Sequence, residues 1–106
     1  MSGRDFDTFV GQVIVLFRLE HEGLDPSVAS VVASQVQAAH FFCAEAEQLE
    51  LSAEEKHERV AHAVRRFTRE VHGHTCRLTD GQLNGIIFGQ HALLKASGQL
   101  RQMEAA

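Results

Sequence analysis

Apolar residues in this chain recur every three or four positions along almost its whole length, and helix-boundary signals cut that pattern into four segments. Strands would need a period of two, so the pattern predicts an all-α fold. Pro occurs once, and no Pro/Ser-rich or low-complexity linker interrupts the chain. At 106 residues there is room for a single domain, residues 1–106, able to bury a modest core without disulfides or metal.

Helix 1 is predicted over about 7–22. Its stripe is Phe6, Phe9, Val10, Val13 and Phe17, widened by Ile14 and Leu16, and Gly23 is a good terminator. Asp25-Pro26 marks the next start, with Asp25 as cap and Pro26 at the first helical position, where a missing N–H costs nothing. Helix 2 spans about 26–49 on Val28, Val32, Ala39, Cys43 and Ala46, widened by Val31, Val36 and Phe42. Ser52 and Glu55 form a capping box for helix 3, about 53–72, with a narrow face of Val60, Ala61, Val64, Phe67 and Val71 before Gly73. Thr79 and Gln82 form a second box. Helix 4 follows over about 80–102 on Leu83, Ile86, Ile87, Leu93, Leu94 and Leu100. Short connections favour antiparallel neighbours, hence a four-helix up-down-up-down bundle.

Such a bundle gathers the end of helix 1, the start of helix 2, the end of helix 3 and the start of helix 4 at one pole. That pole holds His21, His72, His74 and Cys76, the last three as H-x-H-x-C, all competent ligands for zinc or copper. A solvated helix end explains the same residues, because His also interacts well with a helix C-terminal dipole. Cys43 and Cys76 belong to opposite ends of helix 3, on the order of 20 Å or more apart at 1.5 Å per residue, beyond disulfide reach. Cys43 reads as core. Two cysteines make no disulfide framework, and the simplest compartment is a reducing cytoplasm. No signal peptide is visible, and the longest apolar run, Val13 to Phe17, is far short of the ~20 residues that span a bilayer.

Catalytic signatures are missing. Glu54-x-x-His57 lacks the second such motif that a di-iron site needs, no phosphate-binding loop occurs, and none of Ser27, Ser30 or Ser34 sits on a strained elbow beside an identifiable base. The basic residues of helix 3, among them Arg59, Arg65, Arg66 and Arg69, follow Glu54, Glu55 and Glu58 in the order that suits the helix dipole. With a net charge of −4 for the whole chain, this argues against nucleic acid as the partner.

Gly81, Gly85 and Gly89, continued by Ala92 and Ala96, place small residues along helix 4. Each interior Gly costs roughly 1 kcal/mol against Ala, so Gly85 and Gly89 call for a reason. Close approach of another helix supplies one. That helix is either helix 2 of the same chain or helix 4 of a second copy. The leading expectation is therefore a non-enzymatic, protein-binding helical module (regulator, adaptor or assembly component), homodimeric through Gly85, Gly89, Ala92 and Ala96. A metal-binding or metal-sensing bundle using the His/Cys pole is the alternative, and an enzyme with a site formed between subunits is a third. Finally, helix 2 followed by Leu51-Ser52-Ala53-Glu54-Glu55-Lys56, then Leu78-Thr79-Asp80 and an apolar helix, resembles the soluble tail of a phage holin family. The resemblance covers the C-terminal two-thirds and implies a phage-encoded accessory protein. The membrane segment of that family has no counterpart in this sequence.

Overall fold

Every described element is helical, and Ser27, Ser52 and Thr79 mark where the second, third and fourth helices begin, while Gly73 marks where the third helical segment stops. The computed structural model describes residues 3–20, 27–73 and 78–105, with side chains described from Asp5 to Ala96 apart from Val28 and the intervening gaps. Four α-helices follow in order: α1 (Gly3–Glu20), α2 (Val28–Ala46), α3 (Ala53–Phe67) and α4 (Asp80–Ala105), with a wider π-helical turn, Thr68–His72, continuing α3. No strand occurs among the described residues.

The caps show why the boundaries fall there. Ser27 caps α2, its Oγ accepting from the Ser30 N–H at 3.1 Å. This corrects the expectation of a start at Pro26; Asp25 and Pro26 lie outside the described residues. Ser52 caps α3 by accepting from the Glu55 N–H at 3.2 Å. The α4 box is fully reciprocal: Thr79 Oγ1 accepts from the Gln82 N–H at 3.2 Å, and Gln82 Oε1 accepts from the Thr79 N–H at 3.0 Å. Gly73, at φ 83°, ends the π turn in a conformation that a side chain would strain.

The chain forms one compact globule in which α2 and α3 are the central pair, each touching both α1 and α4. Phenylalanine rings join three helices. Phe17 of α1 meets Phe67 of α3 edge-on at 5.0 Å, and Phe42 of α2 lies 6.4 Å from both Phe9 and Phe67. Edge-to-face pairs suit the ring quadrupole and add ~0.5–1.5 kcal/mol each beyond buried area. Around them lie Phe6, Val10 and Ile14 of α1, Ala39 and Cys43 of α2, Val60 and Val64 of α3, and Leu83 and Ile87 of α4.

Three residues expected inside are outside: Leu16, Val32 and Leu93 are 61%, 46% and 59% exposed. Leu16 and Leu93 sit at the edge of their stripes, whereas on α2 packing rotates the buried face toward Val31 and Phe42 and leaves Val32 outside. Leu100 lies beyond the described side chains. Conversely, Ser34, Gln35 and Thr68 are buried polar residues. Gln35 Nε2 donates to Thr68 Oγ1 at 3.3 Å, and Thr68 donates back to the Val64 carbonyl at 2.9 Å, so their desolvation is offset. No described helix is long and apolar enough to cross a membrane.

Cys43 is fully buried in this core. Burial, and secondarily the Glu47 carboxylate, push its thiol up from 9.0 to about 11. The unfolded chain then loses this proton first. The thiol's contribution to stability is complete below about pH 9 and is lost as pH rises toward 11. Alkylation of a Cys76→Ser variant should be slow in buffer and fast in denaturant. Equal rates in the two conditions would show that Cys43 is not in the core.

Candidate functional site

The outer face of α4 is the first candidate. Leu83 and Ile87 point inward and are buried, at 2% and 0% exposure. At 100° per residue, Gly85, Gly89, Ala92 and Ala96 fall on the opposite side. All four are exposed. A Cβ added at Gly81, Gly85 or Gly89 would meet nothing within 4 Å. Helix 2 of the same chain is therefore not what these glycines accommodate. Phe88 and Leu93 flank the small residues and are 63% and 59% exposed. No Asp, Glu, Lys or Arg occurs from Gly81 to Leu94.

Histidines hold this helix in place. His57 of α3 donates from Nε2 to Asn84 Oδ1 at 2.9 Å, and its ring stacks on Phe88 at 4.9 Å. The other nitrogen, Nδ1, is buried with no hydrogen-bond partner among the described residues. His40 of α2 donates from Nδ1 to Gln90 Oε1 at 3.1 Å. His91 Nδ1 lies 3.2 Å from Glu47, which also pairs with Lys56 at 3.7 Å. Arg65 pairs with Asp80 at the start of the helix. Three of the chain's seven histidines thus bridge α4 to the central pair. Their spacing in the sequence carries no sign of this, because each partner lies on another element.

The polar pole is the second candidate, and one of its expected members is described. His72, on the π turn, places Nε2 2.6 Å from Ser34 Oγ. His21, His74 and Cys76 lie outside the described residues. Among the described residues no three His, Cys, Asp or Glu side chains gather as a metal cluster. Ser34 has one hydroxyl hydrogen and lies 2.8 Å from the Val31 carbonyl. When that hydrogen goes to Val31, His72 Nε2 must be the donor. The pair links the start of α2 to the end of α3 across 38 residues, which no local pattern announces. A metal at Nε2 would have to displace Ser34. Calorimetric titration with zinc should accordingly show weak or no binding. Sub-micromolar affinity abolished by His72→Ala and His74→Ala would instead make metal binding the function.

No family model, curated protein or solved structure matches this chain.

Proposed function

We propose that this protein is a non-enzymatic, protein-binding helical module that pairs with a second copy of itself through the outer face of α4, on an up-down-up-down four-helix frame. The observation that carries the pairing is the orientation of Gly85 and Gly89. Two interior glycines weaken α4 by roughly 1 kcal/mol each. Among the described residues nothing needs their small size, since a Cβ at either would meet no atom within 4 Å. A second helix lying close over them would use it.

Other features agree. A two-fold pair sets the same patch against itself, so like charges would oppose each other. The uncharged stretch from Gly81 to Leu94 avoids that penalty. Phe88 and Leu93 on either side of the small residues would bury apolar area on pairing. The topology is supported by pairs near both ends of the central helices: Gln35 with Thr68, and Glu47 with Lys56. Arg65 with Asp80 and His57 with Asn84 run α4 back along α3.

Sedimentation equilibrium is the direct test. The wild-type chain should be dimeric at tens of micromolar, and a monomer there would overturn the reading.

A further inference from the structure

A groove runs between α1 and α3, and α4 lines no part of it. It consists of a depression of about 200 Å³ and a broader, shallow one of about 690 Å³ open to solvent, which share one wall residue, Arg66. Arg66 pairs with Glu70 one turn further along the same helical segment, Nε to Oε2 at 2.7 Å. Its guanidinium passes over Gly11, with Nη2 3.8 Å from where a Cβ would stand, so a larger side chain there would reach into the groove.

The two rims differ in chemistry. The α3 rim is cationic at Arg59 and Arg66, with His62 between them. The α1 rim carries Val15 and Leu16, 55% and 61% exposed, and Arg18 closes that end. Arg59 and His62 have no ion pair or hydrogen bond among the described residues. Phe6, Val10 and Ile14 make an apolar floor. Three arginines against Asp7 and Glu70 leave the lining at +1 with His62 neutral, opposite in sign to the chain's −4.

We propose that this groove binds an acidic amphipathic segment of a partner protein, laid as a helix along α1 and α3. The span from Phe6 to Arg18 is roughly 18 Å, just over three turns of helix. One face of such a ligand would rest its apolar side chains on Val15 and Leu16, and its carboxylates would meet Arg59, Arg66 and Arg18. Phosphates alone would match the cations but leave the apolar rim uncovered. Glu70 already occupies Arg66, so an incoming carboxylate competes with it.

Fluorescence anisotropy with a labelled synthetic helix tests this. The probe is on the order of 14 residues long, about four turns, with Leu on one face and Glu on the other. Its control has Lys in place of Glu. The acidic peptide should bind about tenfold tighter than the basic one. Arg59→Glu should weaken it by a similar factor, and Gly11→Leu should block it by filling the floor. Glu70→Gln should tighten it, a change that a misfolded variant could not produce. Equal affinity for the two peptides, or indifference to Arg59→Glu, would overturn the proposal. So would binding to phosphatidylserine vesicles without binding to the peptide. Failure here leaves the α4 pairing untouched, since the two surfaces share no residue.

Discussion

Replacing Phe67 with Ala is expected to lower the melting temperature by more than about 10 °C, the largest loss of any single truncation in the chain. Phe67 is fully buried and makes edge contacts with Phe17 at 5.0 Å, Phe42 at 6.4 Å and the His72 ring at 5.9 Å. It is the point where α1, α2 and the end of α3 meet. Truncating a buried Phe costs ~3–5 kcal/mol, because the lost transfer energy is joined by that of the cavity left behind. Against a total stability of ~5–15 kcal/mol, that is about a fifth of the whole or more. Leu16→Ala makes the comparison sharp. Leu16 belongs to the apolar pattern of the same region but is 61% exposed, and exposed substitutions usually stay within about 0.5 kcal/mol. Circular dichroism melts of the two variants decide it. Similar losses in both would mean that α1 presents a different face to the core.

The second large effect is expected at α4 and has two opposite parts. Gly85→Leu with Gly89→Leu should abolish the dimer, because bulky side chains keep the two α4 helices apart. The same variant should make the monomer more stable. Leu is a far better helix former than Gly, by nearly 1 kcal/mol at each position, and both sites open onto free space. Denaturant melts at protein concentrations below the dissociation constant isolate the monomer term, since dimerisation itself stabilises by mass action. A rise in the denaturation midpoint together with loss of the dimer in sedimentation is the predicted pair. A variant that stays dimeric would move the interface elsewhere. One that loses stability as a monomer would show that the glycines serve packing within the chain.

What the sequence determines is local. Capping chemistry depends on residues three apart, so Ser52 with Glu55 and Thr79 with Gln82 place two helix starts directly, and Gly73 stops the end of α3. The period of the apolar residues sets the class, and the phenylalanines of α1 and α3 fall inside as the period requires. Cys43, read as a small core residue, is in the core. Periodicity leaves the edges of each stripe open, because a helix face is wider than its contact with one neighbour. Only packing against α2, α3 and α4 turned Leu16, Val32 and Leu93 outward and drew Ser34, Gln35 and Thr68 in. The same holds for the small-residue stripe of α4. Its spacing is visible in the chain, but its direction is set by Leu83 and Ile87 taking the opposite side. Contacts between distant residues were decided by tertiary structure alone. Ser34 and His72 are 38 positions apart, and His40 and Gln90 are 50 apart. A single sequence carries no term linking such positions, because the bond exists only once hydrophobic burial has brought their helices side by side.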